Sequence, residues 1–78
     1  MLETPKIDVH GMNSEDAIRT VKINLKEFHN QGYNEVTIVH GKGSGILREK
    51  VRLLLSQTPY VKHIESTSDD GATIAILA

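Results

Sequence analysis

The first half of the chain alternates polar and apolar residues and then changes to helical spacing. Residues 6–9 alternate, with β-branched apolar positions, and a His-Gly turn follows, which predicts a short strand. Asn13 and Ser14 are good N-cap residues, and Glu15 and Asp16 suit the first turn of a helix. The predicted helix ends near Gly32, and its apolar stripe consists of Ala17, Ile18, Val21, Leu25 and Phe28.

The second half repeats this pattern and adds a hairpin. Residues 35–40 (EVTIVH) form a β-branched run with apolar side chains on both faces, which is typical of a strand inside a partly parallel sheet. A glycine-rich loop at 41–45 precedes a second amphipathic helix that stops before Thr58-Pro59. Strands are predicted at 60–65 and 72–77, joined by a Ser-Asp-Asp-Gly turn as an antiparallel hairpin.

The resulting order is βαβαββ, which predicts an α/β (α+β) two-layer sandwich of two helices on a four-stranded mixed sheet. We expect residues 6–78 to form one domain, since 78 residues leave no room for a second core, and residues 1–5 to form a flexible N-terminal arm. The chain has no cysteine, no apolar run of membrane-spanning length and no secretory signal, so we expect a cytoplasmic protein that binds no membrane.

Charge is distributed unevenly along the chain. The formal net charge of -1 argues against binding nucleic acid through a strong global field. Residues 40–52, however, contain Lys42, Arg48, Lys50 and Arg52 against Glu49 alone, so this window carries +3 and the remainder -4. The window is either a phosphate-binding region or the solvated face of a helix.

Two predicted strands end in the same dipeptide, His10-Gly11 and His40-Gly41. If these strands are parallel neighbours, both histidines lie at the carboxyl edge of the sheet, where open α/β folds bind ligands. Asp8 lies two residues before His10, on the same face of its strand, where it can orient the imidazole. The alternative is that each histidine is simply packed or solvated at a strand end.

The glycine-rich loop can form a phosphate-binding site. Its backbone N–H groups and the following helix N-terminus can surround an anion. The sequence matches neither a P-loop nor a dinucleotide fingerprint, so a nucleotide cofactor is not expected. A tight turn that needs positive φ is the alternative explanation, although it accounts for one or two glycines better than for three. Aromatic residues are scarce, so base-specific readout is not expected either.

Two segments resemble the motifs of a known family. Residues 7–11 (IDVHG) are similar to the LDLHG motif, and residues 40–48 (HGKGSGILR) to the HGxGxGxLR motif, of the Smr (small MutS-related) domain. The similarity covers nearly the whole chain. It implies a fold like the C-terminal domain of translation initiation factor three. Many bacterial MutS-paralogue versions carry arginine at the position of His10, so this chain resembles the other branch of the family.

The resemblance implies nucleic-acid binding and nicking endonuclease activity on DNA, RNA or both, linked to control of recombination, DNA repair or ribosome rescue. Partners would be nucleic acid and either the remainder of a larger MutS-like protein or the ribosome. The motifs carry over to Asp8, His10 and His40 as catalytic residues. The second motif, together with the basic residues of the second helix, gives a set of phosphate-binding residues. These are Gly41, Lys42, Gly43, Ser44, Gly45, Arg48 and Arg52.

Three functions stay open from the residues. A nuclease would share acid and base work between His10 and His40 around a phosphate held by the loop. Two histidines suffice to cleave RNA, whereas hydrolysis of DNA calls for a divalent cation, Mg²⁺ or Mn²⁺. Asp8 alone is a poor ligand set for such an ion, so no metal site is assigned. RNA is therefore expected to be the easier substrate. The second function is a non-catalytic nucleic-acid-binding module. The third is a protein-interaction domain whose loop merely turns a corner.

Overall fold

The computed structural model describes residues 4–43 and 45–78. Its elements follow the predicted order and are β1 (Lys6–Asp8), α1 (Ser14–Asn30), β2 (Glu35–Val39), α2 (Ile46–Ser56), β3 (Val61–Ser66) and β4 (Ala72–Leu77). Residues 1–3 of the expected N-terminal arm and Ser44 of the expected phosphate-binding loop lie outside the described residues.

Local sequence signals set the ends of α1. The Asn13 side chain accepts a hydrogen bond of 2.9 Å from the backbone N–H of Asp16, which satisfies one of the unpaired donors at the helix start. Glu15 and Asp16 lie in the first turn, where carboxylates favour the positive end of the helix dipole. Gly32, with φ of +93°, ends the helix in a conformation that glycine adopts without strain.

The sheet has the strand order β1-β2-β4-β3. β1 and β2 are parallel, whereas β4 is antiparallel to both β2 and β3. The prediction that the first two strands are parallel neighbours and that the last two form a hairpin is therefore confirmed. Both helix crossovers run in the same direction across the sheet, so right-handed connections place α1 and α2 on one face. Within residues 4–43 and 45–78, no helix covers the other face.

The core lies between the helices and the covered face of the sheet. Its side chains are at most 3% exposed and are contributed by every helix and three of the strands. They are Ile7, Val9, Ala17, Val21, Leu25, Val36, Ile38, Val51, Leu55, Ala75 and Leu77. The predicted fold class is confirmed. The uncovered face, called the open face below, carries the alternate strand positions, including Lys6, Asp8, Thr37 and Val39.

Candidate functional site

A cleft of about 670 Å³ lies on the open face, where β1 and β2 end. β1 and the residues after it contribute Asp8 and His10 to the walls, and the glycine-rich loop contributes Gly41 and Lys42. The turn between β3 and β4, residues 67–71, closes the remaining side. The cleft thus lies at the carboxyl edge of two parallel strands, as expected for a ligand site in an open α/β sheet.

Asp8 and His10 form a hydrogen-bonded pair in this cleft. Asp8 Oδ1 lies 2.6 Å from His10 Nδ1 and also accepts the backbone N–H of His10 at 3.2 Å. Because an ionised carboxylate only accepts hydrogen bonds, Nδ1 must carry the proton. Neutral His10 therefore keeps its lone pair on Nε2, and Asp8 fixes both the tautomer and the ring orientation.

The pair shifts the pKa values of both groups in opposite directions. The pKa of His10 is raised, first by its hydrogen bond to the Asp8 carboxylate and then by the charge of that carboxylate. The pKa of Asp8 is lowered, first by the His10 ring and then by the His10 backbone N–H. Both side chains are more than half exposed, so a substrate can reach them. Relative to an isolated histidine, His10 is protonated over a wider range of pH.

Lys42 is the cation of the loop that lies in the same cleft. Its Nζ is 3.9 Å from Asp69 Oδ2, and its side chain is 69% exposed. Asp69 depends little on this contact, because its lowered pKa arises first from the Gly71 backbone N–H and next from the Thr67 hydroxyl. The long, exposed pair leaves the Lys42 ammonium available to an incoming anion.

The glycine loop is attached to the β3–β4 hairpin. The backbone N–H groups of His40 and Gly41 both donate to the Gly71 carbonyl, at 3.1 and 2.9 Å. Gly41 has φ of +86°, and Gly45, the N-cap of α2, has φ of +85°. At these two positions the backbone requires a positive φ, which glycine adopts without strain. Gly43 does not have positive φ, and a Cβ built there meets no atom within 4 Å.

His40 does not join His10 in the cleft, contrary to the expected convergence of the two histidines. Its side chain is 4% exposed and lies on the covered face, in register with Val36 and Ile38. Nδ1 lies 3.0 Å from the Gly41 carbonyl oxygen, and Nε2 lies 3.0 Å from Thr73 Oγ1. A carbonyl only accepts, so Nδ1 donates to it and neutral Nε2 accepts from the Thr73 hydroxyl. The register of the two strands is the reason. Asp8 pairs with Val39, and side chains alternate between faces along a strand, so His10 shares the open face with Asp8 and Val39 while His40, next to Val39, lies on the covered face.

The predicted phosphate-binding residues are also divided between two places. Arg48 donates to Asp70 at 3.1 Å, and Arg52 lies 4.0 Å from the same carboxylate. Arg52 also donates to Thr73 Oγ1 at 3.4 Å and to the Ser66 hydroxyl. Both arginines are about one-third exposed. They are held on the hairpin by Asp70, whereas Lys42 faces the open cleft.

Sequence reasoning missed the hairpin residues that complete this region. Asp69 and Asp70 are predicted only as turn formers, yet Asp69 lies 3.9 Å from Lys42, Asp70 pairs with Arg48, and Thr73 hydrogen-bonds to His40. The one local signal is the turn composition of residues 68–71. Within that turn Asp70 has φ of +60°, which is uncommon for a residue other than glycine. These three contacts join residues at least 22 positions apart, beyond the reach of a local pattern.

The donor set fits a divalent cation poorly. Asp8 already uses Oδ1 for His10, and within residues 4–43 and 45–78 no three His, Asp or Glu side chains cluster as metal ligands would. Mg²⁺ prefers several oxygen ligands in octahedral geometry. The residues that line the cleft therefore do not form a suitable set of ligands for Mg²⁺.

Comparisons with known proteins agree with this architecture. The Smr domain family model matches residues 7–78. Endonuclease MutS2 of Clostridium perfringens (strain SM101 / Type A) is 45% identical over 77 residues that cover 94% of this chain. Endonuclease MutS2 of Caldicellulosiruptor bescii is 46% identical over 75 residues that cover 91% of it. The chain spans only about 10% of the length of either relative.

Solved structures share the fold. The crystal structure of the Smr domain of Thermus thermophilus MutS2 superposes with a TM-score of 0.92 at 25% identity, covering 96% of this chain and 99% of that one. YdaL, a stand-alone small MutS-related protein from Escherichia coli, gives a TM-score of 0.89 at 20% identity over 97% and 66% of the two chains. In the part of the chain that is described, neither helix is long and apolar enough to cross a bilayer. With the family model matched from β1 to the last residue, this chain belongs to the Smr domain family.

Proposed function

We propose that this domain binds nucleic-acid backbone and cleaves RNA phosphodiester bonds in the open-face cleft. The observation that carries the proposal is the Asp8–His10 pair, which presents a free Nε2 in the same cleft as the Lys42 ammonium. A proton acceptor beside a cation is what an internal attack on phosphorus needs.

The reaction follows from the placement of these groups. His10 Nε2 accepts the proton of a ribose 2′-hydroxyl, and the resulting oxyanion attacks the adjacent phosphorus. The bond from phosphorus to the 5′-oxygen breaks, and that oxygen takes a proton from His10 or from water. The products are a 2′,3′-cyclic phosphate and a 5′-hydroxyl. Lys42 stabilises the negative charge that grows on the non-bridging oxygens.

The glycine loop supports phosphate binding next to this reaction centre. Gly43 has neither a positive φ nor a neighbour that a side chain would strike, so the fold itself does not explain it. Close approach of a phosphate to the loop backbone does explain it. The α2 N-terminus follows at once, and Gly45 caps it without a side-chain hydrogen bond. The helix dipole there favours an anion.

RNA is proposed as the substrate because it carries its own nucleophile. DNA lacks the 2′-hydroxyl, so its cleavage requires an activated water molecule and commonly a divalent cation. The donor set of this cleft is poor for such an ion. His40 is assigned to positioning, since it holds Gly41 and Thr73 while its ring is buried.

A non-catalytic nucleic-acid-binding module is the second candidate, and one observation favours it. Asp70 neutralises Arg48 and approaches Arg52, so few cations remain free at the cleft for tight substrate binding. Such a module would bind backbone weakly and leave turnover to another domain. The chain spans about 10% of these relatives, so the remainder of a larger MutS-like protein is a proposed partner. The ribosome is proposed from the family resemblance alone.

The test is cleavage of a panel of substrates by purified protein. Single-stranded RNA, structured RNA and supercoiled plasmid are incubated with wild type and with His10→Ala, each with EDTA or Mg²⁺. We expect RNA cleavage that persists in EDTA and is lost in His10→Ala, with gel-shift binding retained. His63→Ala is the matched control, because His63 is an exposed histidine of β3, paired with Glu65 away from the cleft. Binding without cleavage by wild type would establish the binding module instead.

A further inference from the structure

The two helices form a groove that the proposed cleavage reaction does not use. A depression of about 520 Å³ lies between the first half of α1 and Lys50 of α2. Another of about 390 Å³ lies between the middle of α1 and the last turn of α2 with residues 57–60 after it. Lys22 lines both depressions, so they follow one another along the line where α1 and α2 meet. We call this surface the helix groove.

The helix groove carries positive charge that the fold leaves unneutralised. Lys22 and Lys26 are one turn apart on α1, and Lys50 faces them from α2. Within the described ranges, Glu15 is the one carboxylate lining the groove, and it lies 3.4 Å from the Arg19 guanidinium. Asp16 lies 3.7 Å from the same guanidinium. Among the described residues, none of these three lysines has a carboxylate within ion-pair distance. Three unpaired cations on one surface repel one another, and no ion pair within the described part of the fold offsets that repulsion.

The positions of these lysines fit a phosphate backbone. Side chains at i and i+4 on a helix lie about 5–6 Å apart at Cβ, so Lys22 and Lys26 can contact successive phosphates of one strand. Tyr60 lines the far end of the groove, but its ring stacks on His29 with centroids 4.3 Å apart. That face of the tyrosine is covered. The groove therefore offers charge rather than a stacking surface, which predicts binding without base preference.

The helix groove lies on the helix side of the sheet, opposite the cleft, and one end of it is near the sheet edge where the cleft opens. α1 begins four residues after His10, and α2 begins four residues after Lys42. Both helices thus start at the sheet edge where the cleft opens, and the first depression extends along α1 from its start. A strand that leaves the cleft has to pass around this edge to reach the groove.

We propose that the helix groove is a second binding surface for the phosphate backbone, which holds the part of an RNA strand that extends beyond the cleft. The proposal rests on the proposed RNA-cleaving function for the identity of its ligand. The helix groove adds three lysines, for which the described residues supply no ion pair, to Lys42 of the cleft, which helps a chain with net charge -1 to bind a polyanion.

The test compares Lys22→Ala/Lys26→Ala/Lys50→Ala with wild type for binding of a fluorescent 20-nucleotide RNA by anisotropy across a salt series. We expect weaker binding and a slope of log K against log salt that is shallower by about 2, because each contact to a single strand contributes about 0.7. Lys62→Ala is the control, since Lys62 is an exposed lysine of β3 away from the groove. Circular dichroism verifies that the triple variant is folded.

A dinucleotide substrate separates this proposal from the proposed function. It fills the cleft alone, so its cleavage is expected to be unchanged in the triple variant, whereas kcat/KM for the long RNA is expected to fall. A slope and affinity equal to wild type, or an equal effect of Lys62→Ala, would overturn the helix groove as a binding surface. If wild type cleaves no RNA and the triple variant loses binding of the long RNA, the helix groove is supported as a binding surface and the catalytic proposal is rejected. Capture of an acidic peptide with no change in RNA binding would also overturn it.

Discussion

The hydrogen bond between Thr73 and His40 gives the sharpest prediction about stability. Thr73 is fully buried, and its hydroxyl lies 3.0 Å from His40 Nε2. Thr73→Val fills the same space with a methyl group in place of the hydroxyl, so the change removes the hydrogen bond without creating a cavity. His40 Nε2 then loses its partner inside the core.

The expected loss follows from the cost of an unsatisfied buried group. Such a group costs about 1–3 kcal/mol, and a loss of about 2 kcal/mol lies in the middle of that range. For a domain of this size each kcal/mol lowers Tm by about 4–8 °C, which gives a drop of about 8–16 °C. Arg52 adds little to the loss because it is about one-third exposed and can bind water instead.

The assay is thermal and urea unfolding followed by circular dichroism. Thr73→Ser keeps the hydroxyl and serves as the control, and it should retain more of the stability than Thr73→Val. The double variant His40→Ala/Thr73→Val should lose less than the two single losses combined, because both remove the same bond. At temperatures where it is folded, Thr73→Val should cleave RNA as wild type does, since Thr73 lies outside the cleft.

Two results would refute this reasoning. Wild-type stability in Thr73→Val would show that the bond does not hold His40 in the core. Full stability together with loss of cleavage would place His40 in the chemistry, as the sequence first suggested.

Three further predictions concern the cleft and its rim. Asp8→Asn removes the group that raises the pKa of His10, so an NMR titration of His10 and the acidic limb of the kcat/KM profile should both move to lower pH; unchanged midpoints would contradict the pairing. The same variant should cleave about 10²–10⁴-fold more slowly, because the asparagine amide can donate to Nδ1 and favour the wrong tautomer. Gly41→Ala should lower the free energy of unfolding, measured in urea, by about 1–2 kcal/mol, because φ of +86° strains any L side chain. The added Cβ itself makes only an ordinary 3.5 Å contact with His10. An unchanged midpoint would show that the loop adapts. Asp70→Asn should bind RNA more tightly and with a steeper salt dependence, because it releases Arg48 and Arg52, and equal or weaker binding would contradict that.

Local patterns were sufficient for most of the fold. The N-cap at Asn13, the apolar stripe of α1 and the β-branched run of β2 each act within a few residues, and the structure follows them closely. The structural relation of Asp8 and His10 was also predictable, because residues two apart in a strand share a face. The proton-transfer role of that pair stays a prediction.

The position of His40 could not be predicted as easily. β2 has apolar side chains on both faces, Val36 and Ile38 on one and Val39 on the other, so its sequence does not show which face the helices cover. The open face became evident only from the topology. The same holds for Asp70, which reaches Arg48 because β4 is inserted between β2 and β3 and brings the hairpin turn beside α2.

The central claim is that the Asp8–His10 pair cleaves RNA by internal attack of the 2′-hydroxyl. The most direct measurement is mass spectrometry of the fragments that wild type releases in EDTA from an oligoribonucleotide and from the same oligonucleotide with a single 2′-deoxy substitution. We expect 2′,3′-cyclic phosphate or 3′-phosphate ends, no cleavage at the deoxy position, and no fragments from His10→Ala. Fragments with 5′-phosphate ends, cleavage at the deoxy position, or dependence on a divalent cation would contradict it.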